Sequence, residues 1–531
     1  MPTPTESTSS QKPAPTATGR SASLVAAGIF LSRIAGLIRE RVFAHYFGSS
    51  DAADVFRAAI RIPNFLQNLF GEGVLSASFI PVYARLRALR EDEEASDVAD
   101  AIATLLALIT AVLVLIGVLA TPYLIDAIAP GFHDAKRELT IRLVRIFFPG
   151  AGLLVMSAWC LGILNSHRRF FLSYAAPIAW NAVMIATLIG FGGNRSQESL
   201  AMITAWGSVV GSAMQLGVQL PVALGLVRRV RVQLGLQLAP VREVIRNFFP
   251  VLISRGVVQL SAYIDSMIAS FLPTGAVAFL GYAQILYTLP VSLFGMSVSA
   301  AELPAMSGAI GSESEVAAQL RTRLGKALRQ IAFLVVPSAI AFLVLGDVVA
   351  AVVFQTGRFT HADAIYVWGV LAGSAVGLLA SSLGRLYSST YYALRDTRTP
   401  LRFAIIRVVL TTVLGLFCAL RLPQMLNIDR SWGVAGLTAS AGIAGWIEFL
   451  LLRRRLHGRI GAVAPASSFL AKLWFSAAIS AATAFGFKLA IGNRHPITVA
   501  IAVLIPYGVL YFLLTFLLRI PEAQMVLKRF R

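Results

Sequence analysis

The chain has 531 residues, of which 57% are hydrophobic and only 14% charged, against roughly 25% charged in an average soluble domain. That balance excludes a soluble enzyme or binding domain, and a formal charge of +20 carried mostly by short loops excludes a nucleic-acid-binding face. What remains is an all-α polytopic membrane protein built from apolar segments of about 20 residues, the length that spans the hydrocarbon.

Residues 1 to 22 are rich in Ser, Thr, Pro and Ala and read as a disordered tail. No small-residue cleavage site follows a short apolar core there, so the first helix is expected to stay in the protein. Fourteen apolar segments follow, centred near residues 35, 70, 112, 152, 181, 212, 257, 292, 340, 377, 410, 441, 479 and 508. The first, second, seventh and eighth are the least uniformly apolar. Loops after even-numbered segments hold most of the basic residues, among them Arg85, Arg87 and Arg90, Arg168 and Arg169, Arg228, Arg229 and Arg231, Arg321, Arg323 and Lys326, and Arg453 to Arg455. Loops after odd-numbered segments hold few, such as Arg195, Arg358 and Arg430. This asymmetry predicts that both termini are cytoplasmic.

The first segment carries Arg33, Arg39, Glu40 and Arg41, with Arg33, Gly36 and Glu40 on one face. In the second, Asp54, Arg57, Arg61, Asn64, Asn68 and Glu72 follow at steps of 3, 4, 3, 4 and 4, which predicts a polar stripe along one helix face. Pro63, Gly71 and Gly73 are expected kink positions. An Arg at the bilayer centre costs about 2.5 to 3.5 kcal/mol on insertion scales, so these side chains must face water or one another. A water-filled cavity between helices is the expectation. The alternative is an internal ion-pair network, Asp54 with Arg57 or Glu72 with Arg61, that only joins helices.

The phrase NLFGEGVLSA at Asn68 to Ala77 returns as SLFGMSVSAA at Ser292 to Ala301. Ser32-Arg33 likewise returns as Ser254-Arg255, Gly131 to Asp134 as Gly357 to Asp363, and Gly152 to Leu154 as Gly377 to Leu379, at offsets of about 222 to 229. One six-helix unit is therefore repeated, giving an N-lobe over 23–230 and a C-lobe over 231–456, with the last two helices (457–531) outside the repeat. An even number of helices per unit makes the repeats parallel, related by an axis along the membrane normal across a central space. The C-lobe's polar residues are fewer: Gln284, Thr288, Ser292, Ser299 and Glu302 in helix eight, Arg255 and Asp265 in helix seven, and Arg385 in helix ten. Arginine forks without a catalytic partner suit an anionic group, phosphate above all, that is held and released.

Cys160 and Cys418 both lie in apolar segments, so neither a disulfide nor a metal pair is expected. The histidines show no metal-binding spacing, and Gly325-Lys326 is followed by Ala327, which rules out a phosphate loop. No catalytic constellation stands out, and no cofactor is expected.

The stretch Ser32 to Leu86, SRIAGLIRERVFAHYFGSSDAADVFRAAIRIPNFLQNLFGEGVLSASFIPVYARL, resembles the MurJ (MviN) family of lipid II flippases, and the fourteen-helix plan agrees over nearly the whole chain. The resemblance implies a MATE-like exporter fold, two lobes around a cavity plus two terminal helices that help form a groove for a polyprenyl tail. It also implies transport of lipid II, an undecaprenyl-diphosphate-linked disaccharide-pentapeptide, across the bacterial cytoplasmic membrane for peptidoglycan synthesis, with cell-wall synthesis proteins as further partners. The family's cavity residues map onto Arg33, Arg39 and Asp54, with a basic residue retained as Arg61. The chain departs from the pattern at Gln67, where well-known members carry Arg, and at Gln284-Ile285, where they carry an Asp-Arg pair. Arg255, with Glu302 or Asp265 as counter-charge, is the expected substitute cation. Membrane potential or a Na+ or H+ gradient is the implied driving force, with Asp265 as candidate ion ligand. Competing readings are a flippase for another polyprenyl-linked saccharide, a cation-coupled drug exporter of the same superfamily, and a non-transporting scaffold for wall-synthesis enzymes.

Overall fold

The structure is a computed structural model that describes residues 18–193, 195–227, 231–492 and 494–529, without the side chains of 18–26, 72, 253–262 and 526–529. A helix occupies each of the fourteen predicted centres. The N-lobe contains α1 (Thr18–Phe47), α2 (Asp51–Phe70), α3 (Glu72–Ala88), α4 (Asp92–Ile128), α5 (Asp134–Ser166), α6 (Phe170–Ala175), α7 (Pro177–Phe191) and α8 (Gln197–Val227). The C-lobe contains α9 (Ala239–Ser270), α10 (Ala276–Pro290), α11 (Ser297–Ser307), α12 (Glu313–Phe354), α13 (His361–Ala393), α14 (Arg398–Leu416), α15 (Leu422–Met425) and α16 (Gly433–Ile460). Then come α17 (Ser467–Ile491), α18 (Pro496–Leu517) and the short α19 (Pro521–Arg529).

One boundary differs from that predicted. The first helix starts at Thr18, inside the stretch assigned to the tail, because a helix nucleated on the apolar run from Leu24 extends backward at little cost. Although α9 lies wholly on the C-lobe side of the predicted lobe boundary at 230 and 231, it packs into the cores of both lobes. Its Val241 and Val244 pack into the N-lobe core with Leu75, Phe79 and Trp159, while Ile268 near its other end joins the core that holds the C-lobe.

Among the described residues, eleven helical spans are long and apolar enough to cross a membrane. The three remaining predicted spans, α1, α2 with α3, and α9, have the length but not the apolarity.

The repeat is visible as matched irregularities. The predicted second helix breaks at Gly71, where an added Cβ would lie 2.2 Å from the Gln67 carbonyl oxygen. At the corresponding place in the C-lobe, Val291–Met296 forms a π segment that contains Gly295. A π-bulge is a frequent mark of functional remodelling within a helix. Glu72 therefore begins a new helix and does not extend the stripe on α2.

Two loops related by the repeat close one end of the molecule. Gly131 approaches the end of α9 so closely that a Cβ would lie 2.2 Å from the Ser270 carbonyl oxygen, and its N–H donates to Ser270 Oγ at 3.1 Å. Gly357, at φ +54°, approaches the end of α1 in the same way, 2.4 Å from the His45 carbonyl oxygen, which accepts from Arg358 N–H at 2.8 Å. Each lobe's loop thus caps the first helix of the other lobe, as parallel repeats require.

The terminal helices dock on α12 around Pro337. Proline leaves the carbonyl four residues earlier without its helical donor, and Tyr511 OH donates to that Phe333 oxygen at 2.6 Å. Tyr507 OH donates to the Pro337 carbonyl at 2.6 Å.

Candidate transport cavities

The polar face of α2 stands between two cavities. A cavity of about 420 Å³ in the N-lobe is lined by Arg39, Glu40, Arg57, Gln67, Trp180 and Asn181 among others. A cavity of about 480 Å³ on the C-lobe side is lined by Arg61, Asn68, Asp265, Gln284, Arg385 and Arg407 among others. Asn64 lines both. Helix geometry explains the division: at about 100° per residue, Arg61 and Asn68 fall to one side of Arg57, and Asn64 and Gln67 to the other. The stripe predicted from the sequence is one band split along its midline.

In the N-lobe cavity Glu40 is 6% exposed and bridges Arg39 and Arg57. Arg39 also donates to Asn181 Oδ1 at 3.1 Å and lies over the Trp180 ring at 4.6 Å. The Arg57 guanidinium sits between the rings of Phe43 and Tyr282, at 4.8 and 4.7 Å, and its buried Nε has no hydrogen-bond partner. Tyr282 belongs to α10, so this cation touches both lobes. Two guanidinium groups and one carboxylate leave a surplus positive charge, with a donor unused.

On the C-lobe side Arg61 donates to the Ser266 hydroxyl, and Tyr263 OH donates to the Arg61 carbonyl at 2.7 Å. Arg407 pairs with Glu448 at 3.3 Å. Asp265 lines this cavity with Oδ1 buried and without a partner. Arg61, Arg385 and Arg407 against Asp265 and Glu448 again leave one positive charge.

Asp54 does not join either group. It is 0% exposed and holds the start of α10, accepting from Gly275 N–H and Ala278 N–H at 2.8 Å each and from Lys136 Nζ at 2.8 Å. A carboxylate is favoured there because the first N–H groups of a helix lack internal partners and the dipole is positive. Arg41 makes the converse contact, donating to the carbonyls of Val352 and Val353 at 2.7 and 2.8 Å near the end of α12. Ser49 Oγ donates to Asp363 Oδ1 at 2.6 Å, and Tyr282 OH to the Gly48 carbonyl at 2.8 Å. Apart from the Asp54–Lys136 pair, which lies within the N-lobe, these contacts cross between lobes at the closed end. The alternative pairing of Asp54 with Arg57 does not form; Asp54 pairs with Lys136 and Arg57 with Glu40.

Arg33 reaches across to the other lobe, donating to Ser292 Oγ at 2.8 Å. Glu302 pairs with Arg323 at 3.4 Å, so it is not placed as counter-charge to a central cation. The side chains of Glu72 and Arg255 lie outside the described residues. Glu40 is noted in the sequence as sharing a face with Arg33, whereas Trp180, Asn181, Arg407 and Glu448 were not singled out. Arg407 and Glu448 carried the same signal as the α2 stripe, a charge inside an apolar segment. Trp180 and Asn181 carried none.

The profile of the family described as lipid II flippase MurJ matches residues 43–505. The lipid II flippase MurJ of Burkholderia cenocepacia is 31% identical over 450 residues, covering 83% of this chain and 84% of that protein. A probable lipid II flippase MurJ of Vibrio cholerae is 31% identical over 451 residues, covering 82% of each. A solved structure of lipid II flippase MurJ in an inward closed conformation superposes with a TM-score of 0.75 at 22% identity, covering 93% of this chain and 99% of that one. An inward-facing multidrug resistance MATE family transporter of the MOP superfamily superposes at 0.65 and 17% identity, covering 83% and 100%. The structural likenesses establish the two-lobe fold, and the sequence matches make this chain a member of the MurJ family.

Proposed function

We propose that the chain carries lipid II from the inner to the outer leaflet of the bacterial cytoplasmic membrane by alternating access, with both termini in the cytoplasm. The observation that supports it most is the pair of cavities flanking α2, each with an excess of arginine. Arginine forks suit the two phosphates of a diphosphate. A polar sugar-peptide crossing bare hydrocarbon would leave its polar groups unsatisfied, at several kcal/mol each. A cationic chamber with Asn64, Asn68, Gln67 and Gln284 in its walls replaces those lost contacts, while the polyprenyl tail stays in lipid and the terminal helices offer a groove for it.

The closed end lies opposite the Arg-rich loops. In the proposed topology it is the outer end, so this conformation would receive substrate from the cytoplasmic side. Outward opening then requires the contacts of Asp54, Arg41, Ser49 and Gly357 to part, and the lobes to close at the other end, where Arg85 already bonds Glu243 at 2.6 and 3.2 Å. The work is binding and rocking, with no covalent step. For coupling, the unpartnered Oδ1 of Asp265 fits a proton or Na+, with the hydroxyls of Thr411 and Thr438 on the same cavity wall. Asp265 and Arg61 share that wall, so occupancy of one alters the field at the other.

The test is replacement of the protein by Arg39→Ala and Arg61→Ala variants in cells. Each is expected to lower the lipid II exposed on the outer face by at least tenfold at normal expression. A scaffold would tolerate both. Accumulation of a different polyprenyl-diphosphate saccharide on the inner face would redirect the substrate assignment.

A further inference from the structure

A third cavity, of about 380 Å³, lies away from α2, where α12 runs into α13 and α17 into α18. Its walls include Asp347, His361, Trp368, Lys488 and Arg494, with Val348, Leu489 and Val499 as apolar neighbours. A kink in α12 shapes it. Leu345 leaves the helical region at φ −122° and ψ 15°, and Trp368 Nε1 donates to the nearby Leu343 carbonyl at 2.9 Å. Gly346 admits that indole, since an added Cβ would lie 2.6 Å from Trp368 Cδ1.

Asp347 is the informative residue. It is only 6% exposed; Oδ2 accepts from Lys488 Nζ at 2.6 Å, and Oδ1 is buried with no hydrogen-bond partner. A buried carboxylate oxygen left without a donor is costly, and this one belongs to a residue that lines an open cavity. Lys488 offsets the Asp347 charge, and Arg494, an exposed residue of the loop between α17 and α18, remains as a free-facing cation. The cavity thus offers an acceptor for an N–H donor at its base and a cation for an anion at its mouth. Its apolar flank includes Leu489, 68% exposed.

We propose that this cavity binds the phosphoethanolamine headgroup of a membrane phospholipid, its ammonium on Asp347 Oδ1 and its phosphate on Arg494, with the acyl chains along the apolar flank. A choline headgroup has the same charges but no N–H, so it cannot satisfy Asp347. A phosphatidylglycerol headgroup carries the phosphate with hydroxyls in place of the ammonium. The site is independent of the substrate assigned to the arginine cavities.

Native mass spectrometry of the purified full chain, titrated in turn with phosphatidylethanolamine, phosphatidylcholine and phosphatidylglycerol, tests this. The wild type is expected to retain phosphatidylethanolamine over phosphatidylcholine by about tenfold or more, the effect of one charge-assisted hydrogen bond. Asp347→Asn should bring that ratio close to one, and Arg494→Ala should weaken retention of phosphatidylethanolamine and phosphatidylglycerol alike. Equal retention of ethanolamine and choline lipids by the wild type, preference for phosphatidylglycerol, or an unchanged ratio in Asp347→Asn would each overturn the assignment. If Asp347→Asn does not fold, the wild-type melting temperature decides: it should rise with phosphatidylethanolamine and not with phosphatidylcholine. No difference between the two lipids would reject the site.

Discussion

Glu40 is the residue on which the N-lobe cavity turns. It anchors two guanidinium groups that would otherwise repel each other in a buried space, and it fixes both beside aromatic rings. Removing one partner from a buried ion pair costs roughly 3 to 5 kcal/mol, so Glu40→Ala is expected to lower the unfolding midpoint clearly and to abolish rescue of growth. Arg57→Lys makes a finer distinction. It keeps the charge but loses the planar fork that lies between Phe43 and Tyr282. Complementation should fall at least tenfold with folding preserved, whereas a purely electrostatic role would be served by either side chain.

At the scale of elements, helix ends hold the two lobes together. Asp54 on the start of α10 and Arg41 on the end of α12 each place the sign of charge that the helix terminus favours. Asp54→Ala leaves two N–H groups without their acceptor in a buried place and Lys136 with Asp51 alone, a loss of about 3 kcal/mol or more. The thermal midpoint should fall, and residues at the closed end should become accessible to thiol probes. Gly357→Val should loosen the same end by steric conflict with His45, compounded by a positive φ that a β-branched residue does not tolerate. Much of this element plan was legible beforehand. The charge spacing on α2 and the offset of about 224 residues between its glycine motif and that of the π segment (Gly71 to Gly295) correspond to a real face and a real pair of interruptions. What spacing could not tell was partner identity. Asp54 lies on the stripe, yet its neighbour in space is the start of α10, more than 200 residues away, and only tertiary packing decides that a carboxylate at that height meets N–H groups. Lys136, in a short loop-proximal stretch, gave no sign of being its counter-ion.

The whole molecule is two parallel repeats that touch through helix ends at one extremity and surround cationic space farther in. Lobe motion is therefore expected to be rigid-body rocking about that space. Locking the closed end should stop it. A Ser49→Cys and Asp363→Cys pair, placed where the native side chains hydrogen-bond, in a background lacking Cys160 and Cys418, should halt lipid export on oxidation and release it on reduction. Eleven of the predicted spans could be read, among the described residues, because apolarity over about 20 residues is a local property. The role of α9 as a bridge between lobes could not, because which core claims Val241 and Val244 is settled only by packing.

The most direct test is to deplete the protein, supply wild type or the Arg39→Ala and Arg61→Ala double variant, and measure how much lipid II each membrane face exposes. Wild type should restore lipid II on the outer face, and the double variant should leave it on the inner face by a margin of tenfold or more. Normal outer-face levels with the double variant, at equal expression, would contradict diphosphate capture by these arginines.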